Sequence, residues 1–190
     1  MRRQSHKPKK ETTRSVTFRL PANVVEELEN EAENHNISLN VLVKQILEKY
    51  TDWDMFANIL GMSPVPLKII KAMGQDMTGD SIFRLVEIVA PLIKEQTMFM
   101  KGKYDLKRCI ETMEDYMKAS GMKSDHRVEG AIHHFIIQHD LGQNWSLFTE
   151  QLLKQMIGDF LPDMNIKFQT SDSTVIATMA LGMDFSEHDY

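Results

Sequence analysis

The chain has 190 residues, 42% of them hydrophobic and 26% charged, with a formal net charge of −5. That length holds a small module plus one further domain, and the composition is that of an ordinary soluble globular chain. A single cysteine, Cys109, excludes an intrachain disulfide and fits a reducing compartment. Bulk acidity argues against nucleic acid, yet the charge is uneven. Residues 1–53 carry nine Lys+Arg against eight Asp+Glu, whereas the remainder carries 13 against 19. Within the first part the positives gather at the N-terminus and the negatives on the first helix, so a basic face is local.

Residues 1–14, MRRQSHKPKKETTR, hold Arg2, Arg3, Lys7, Lys9, Lys10 and Arg14 against one acid, Glu11. Without a hydrophobic run this is a basic arm attracted to phosphates, and no signal peptide. In Ser15–Leu20, Val16, Phe18 and Leu20 alternate with Ser15, Thr17 and Arg19, which predicts a strand with one buried face. Pro21 stops the ladder and suits a helix start. Val24, Val25, Leu28 and Ala32 then follow at helical spacing, with Glu26, Glu27, Glu29 and Glu31 on the wet side. Asn36 is the expected left-handed terminator. Ser38 caps a second helix whose stripe is Leu39, Leu42, Val43, Ile46, Leu47 and Tyr50, a simple cap because Val41 stands where a capping box needs Glu or Gln. The stripe continues through Trp53, Phe56, Ala57 and Leu60, so the helix runs to Gly61 or breaks near Thr51-Asp52.

One strand and two helices cannot form a core alone, whereas two copies can pair their strands antiparallel over four helices. VTFRLP, Val24-x-x-x-Leu28 and the IS-L-N start of the second helix resemble the ribbon-helix-helix family of DNA-binding repressors, over about a quarter of the chain. The resemblance implies a homodimer that inserts a two-stranded ribbon into the major groove of double-stranded DNA. It implies base reading by Ser15, Thr17 and Arg19, with Arg19 suited to guanine. The family's more usual amide side chain is missing from this strand, which leaves the target sequence unpredictable. It implies phosphate contacts from Ser38, Leu39 and Asn40 beside the basic arm, and a dimer core of Val16, Phe18, Leu20, Leu28, Leu42 and Ile46. The alternatives are an edge piece of a larger α+β domain, an autoregulatory antitoxin, and a nonspecific or partition-type DNA binder.

Residues 15–60 therefore read as a DNA-binding domain and 61–190 as a second, regulatory or oligomerising domain. In the latter, Ser63-Pro64 reads as a helix start, with Leu67, Ile70 and Met73 on the stripe and an end near Gly74. Asp80 or Ser81 is expected to cap a mostly buried helix, IFRLVEIVAPLI, kinked or ended by Pro91. With Arg84, Glu87 and Pro91 in it, that run is no membrane span, and the chain reads as cytoplasmic. Tyr104–Ala119 is predicted as an amphipathic helix closed by Gly121. Arg127–His139 reads as one strand, followed by a helix from Trp145 to Phe160, then strands at Asn165–Thr170 and Thr174–Met179 around the turn Ser171-Asp172. The order β-α-β-β after several helices predicts an α+β domain with a small antiparallel sheet.

His126, His133, His134, His139 and Asp140 invite a metal reading. On one strand His133 and His139 would lie about 20 Å apart, with His134 on the other face, so sheet-face histidines are expected and no metal or other cofactor. No catalytic motif is present, and a cysteine on an apolar stripe is no activated nucleophile, so no enzyme is expected. Twelve of the fourteen methionines, from Met62 to Met183, lie beyond residue 60, which fits core filling and equally an effector pocket or partner groove.

Overall fold

The computed structural model describes residues 13–57 and 59–181. The chain divides into two compact units, Met1–Leu47 and Glu48–Tyr190.

In the first unit, Thr13–Leu20 form neither helix nor sheet pairing. Pro21 precedes α1 (Ala22–Asn34), and its carbonyl accepts from the amides of Val24 and Val25. The helix ends in a Schellman motif. Asn36 takes φ 54°, its amide donates to Glu33 O at 3.0 Å, and the Ile37 amide donates to Ala32 O at 3.0 Å. Asparagine is one of the few residues besides glycine that enter the left-handed region routinely. α2 (Leu39–Lys49) starts at Ser38, whose Oγ accepts from the Val41 amide at 3.3 Å. Only Ala32 and Leu42 are buried among the described residues of this unit.

Beyond α2 the chain makes a π-helical turn, Tyr50–Asp54, then a short helix α3 (Met55–Ala57). The wide turn falls on Thr51-Asp52. Trp53 is buried with its ring edge-on to Tyr116, and Phe56 meets Phe99 in the same way. Gly61, with φ 70°, closes this segment.

The rest of the second unit contains α4 (Leu67–Gln75), α5 (Gly79–Lys101), α6 (Leu106–Ala119), β1 (Lys123–Glu129), β2 (Ile132–Gln138), α7 (Gln143–Gly158), β3 (Lys167–Thr170) and β4 (Thr174–Ala180). The α+β class stands, but the strand order is β-β-α-β-β. What reads as one strand over Arg127–His139 is the end of β1, a two-residue turn at Gly130-Ala131, and β2. Gly130 takes φ 65° at the first central position, as a hairpin turn requires. The four strands form an antiparallel sheet in the order β1-β2-β4-β3.

Several helical boundaries also differ from expectation. α4 begins after Pro66 and not at Ser63-Pro64. α5 is capped by Thr78, in a reciprocal box with Ser81, and not by Asp80 or Ser81. It also runs through Pro91 to Lys101. The proline ring and Glu87, whose carbonyl loses its helical donor, are both exposed, so water can serve that carbonyl. Buried Ile82, Val86, Ala90 and Thr97 meanwhile hold the helix down on either side of the proline. α6 starts at Leu106, two residues after Tyr104, because the Asp105 carboxylate caps it through the Arg108 amide at 2.9 Å.

Two apolar clusters fill this unit. Phe135 and Ile137 of β2, with Val175, Ala177 and Met179 of β4, pack on Leu106, Ile110 and Met117 of α6 and Leu153 and Ile157 of α7. On the other side of those helices, Ile82, Val86 and Ala90 of α5 pack on Cys109 and on Phe148, Leu152 and Met156. The layers are thus sheet, α6 with α7, and α5. α4 is hooked on by the start of α7. Asn144 Nδ2 donates to Gly74 O at the end of α4 at 2.9 Å and to Met77 O in the loop after it at 3.0 Å, and Trp145 Nε1 donates to Ile70 O at 3.2 Å.

Gly74 is required by this hook, since a Cβ there would lie 2.2 Å from Trp145 Nε1. Gly74→Ala should therefore destabilise the protein by about 1–3 kcal/mol despite alanine's better helix propensity. Urea unfolding checks this; unchanged or raised stability would show that the indole yields freely.

Candidate functional site

Ser15, Thr17 and Arg19 are exposed, as is Arg14, while Arg2, Arg3, Lys7, Lys9 and Lys10 lie outside the described residues. Ser38 and Asn40 are exposed and Leu39 is half-buried at the start of α2. The first amides of a helix have no carbonyl four residues back, so this end offers donors to an anion. Of the expected core positions, Leu42 is buried and Leu28 half-buried. Val16, Phe18, Leu20 and Ile46 are exposed by 65%, 60%, 51% and 46% in the single chain. Among the described residues, the backbone of Ser15–Leu20 makes no hydrogen bond.

The histidines of the second unit are arranged differently from the single-strand expectation. The hairpin pairs Val128 with His133 and brings His126 beside it, with Nε2 of His126 2.9 Å from Nδ1 of His133 and the rings stacked. Phe135 stacks on His126 with centroids 4.2 Å apart. Sequence spacing could not reveal this contact without the turn at Gly130. His134, on the outer sheet face, meets Thr178 Oγ1 at 3.0 Å. Among the described residues no three His, Cys, Asp or Glu side chains are grouped to hold a metal ion.

His139 lies buried just past β2. Its Nδ1 accepts from the Leu141 amide at 3.2 Å, and its Nε2 sits 3.2 Å from the hydroxyl of Ser146, which is fully buried. The Ser146 hydroxyl donates to Ser171 O, so it accepts from His139, whose ring is therefore the neutral Nε2–H form. Burial pulls His139 below the ordinary imidazole range, against the opposing pull of Asp140. Burial does the same to His133, helped by His134.

Cys109 is 1% exposed, and burial, with Asp159 nearby, pushes its thiol up to about 12. The group is a protonated core thiol and not a nucleophile at neutral pH. No described helix is long and apolar enough to cross a membrane.

The second unit also holds a cavity of about 250 Å³ between α5, α6, α7 and the end of β2, lined mainly by apolar side chains. Sequence reasoning had only the methionine count as a signal, and Met62, Met113, Met117 and Met122 do line it. No protein-family model matches the chain, and comparison with curated proteins finds no match.

The state of His139 makes stability pH-dependent. In the unfolded chain the imidazole takes up a proton near pH ~6.5, and in the fold only at lower pH. Its contribution is complete above that pH and is lost as pH falls toward the folded value. Melting temperature should fall between pH 7.5 and 5, and His139→Gln, which keeps a donor toward Ser146, should flatten the fall in part, His133 supplying the rest. Identical pH profiles for the two proteins would remove His139 from the account.

Proposed function

We propose that this chain is a homodimeric, sequence-specific DNA-binding transcriptional regulator, a repressor without catalytic chemistry of its own. Two copies of Ser15–Leu20 pair antiparallel as a ribbon in the major groove. The observation that carries the reading is the state of the first unit in a single chain. It buries only Ala32 and Leu42 among its described residues, yet exposes Val16, Phe18, Leu20, Ile46 and Leu47. Three apolar side chains alternating along a segment with no backbone partner are what a strand awaiting its mate presents. Pairing would turn Val16, Phe18 and Leu20 onto the helices and leave Ser15, Thr17 and Arg19 facing outward.

Further support comes from the neighbouring elements. The Schellman turn at Asn36 and the Ser38 cap set two helices directly after the segment, in the order the ribbon-helix-helix resemblance implies. The start of α2, with Ser38, Leu39 and Asn40, suits a phosphate, and the basic residues up to Arg14 add charge beside the ribbon. Residues 61–190 then serve as the regulatory half, responding to a small molecule or a protein partner.

Phe18→Glu tests the dimer in the full chain. It should convert a dimer into a monomer in sedimentation and abolish binding to DNA selected from a random pool. The signals of the second unit should remain. A wild-type chain that sediments as a monomer at tens of micromolar would sink the reading.

Arg19→Ala tests base reading. It should cost about 1–3 kcal/mol on the selected site and little on random DNA. Equal losses on the two DNAs would reassign Arg19 to the phosphate backbone.

A further inference from the structure

We infer that the cavity of the second unit is a binding site for a small uncharged molecule, mostly hydrocarbon, with one hydrogen-bonding group. The space opens to solvent beside the exposed Leu92 and Tyr116, and at about 250 Å³ it is far larger than the voids that well-packed interiors leave. An apolar cavity of about 150 Å³ stays dry and accepts benzene. In proportion, this one takes about eight to ten heavy atoms, a medium-length chain or two fused rings.

The lining sets the chemistry. It contains no lysine, arginine, aspartate or glutamate, so an ionised ligand would lose its hydration with no countercharge to replace it. Several of its polar groups are already engaged. Thr112 donates to Arg108 O at 2.8 Å, the Trp145 indole to Ile70 O, and both nitrogens of His139 are used. Gln96, Tyr116 and Thr149 also line the space, and no hydrogen bond joins their side chains to other described residues. They are the groups left to meet a hydroxyl or carbonyl. The methionine side chains around them adapt to different shapes, which suits a family of related ligands.

Binding itself stands on the second unit alone; only its consequence for DNA rests on the function proposed above. The test uses the full-length protein with 1-octanol and with octanoate at pH 8. Octanol should bind saturably and raise the melting temperature by several degrees, and octanoate should bind at least tenfold more weakly. 8-Bromo-1-octanol should quench Trp145, a lining residue, so that quenching persists in Trp53→Phe and is lost in Trp145→Phe. Val89→Phe, which fills the space from α5, should abolish the octanol shift. If that variant does not fold, Gln96→Leu serves instead, and should weaken octanol severalfold without weakening naphthalene. No saturable octanol binding, or octanoate bound as tightly, would overturn the proposal. Octanol binding with no change in DNA affinity would leave the site in place and detach it from regulation.

Discussion

The second unit depends on the first turn of α7, where polar ties converge from three directions. Asn144 and Trp145 hold the end of α4, and Ser146 links His139, after β2, to the carbonyl of Ser171 between β3 and β4. The His139 amide also donates to Ser173 O at 2.8 Å. The two hairpins come from opposite ends of α7 in sequence, so this knot fixes where the helix starts relative to the sheet. Once it is fixed, the helix has apolar residues on both sides, Leu153 and Ile157 toward the sheet and Phe148, Leu152 and Met156 toward α5. A helix buried on two faces forces a three-layer arrangement.

The first unit follows a different logic. Its local signals are strong, with a Schellman motif, a serine cap and two amphipathic helices, but only Ala32 and Leu42 are buried among its described residues. Local preference then sets the shape of the segment, and on the proposed reading burial comes from association. On the proposed reading, folding and dimerisation of this unit are one equilibrium, and its stability depends on concentration.

Most helices were legible because their stripes repeat at helical spacing and their ends carry Asn36, Gly61, Gly102 and Gly121, all at positive φ. The β1–β2 hairpin was not. Gly130-Ala131 sits inside a long run of strand-like residues, and only the glycine marked the reversal. Pro91 misled because its cost depends on whether the freed carbonyl meets water, which is a tertiary fact. Period two in Ser15–Leu20 predicts a strand with one buried face, but in the single chain the segment pairs with no described strand and all six residues are exposed. The His126–His133 contact and the neutral lock on His139 required strand register and an amide two residues away. The cavity was illegible for a more basic reason: a void is what side chains fail to fill, and no residue encodes it.

The edges of the sheet carry a consequence for how the chain tells one strand pairing from another. Along β1, an edge strand, Lys123, Asp125, Arg127 and Glu129 alternate in sign on the outward face, and Arg127 is tied to Asp125 at 2.7 Å. The opposite edge, β3, is only four residues long and begins with a lysine. The same polypeptide also presents Ser15–Leu20, half apolar, whose backbone makes no hydrogen bond among the described residues. If either sheet edge were long, flat and apolar, that segment from a neighbouring molecule could add to it and seed chains of misjoined copies. Charge on one edge and brevity on the other make such grafting unfavourable. On the proposed reading, they leave the segment's own counterpart as its best match, and fidelity of assembly is then written into strands that take no part in it.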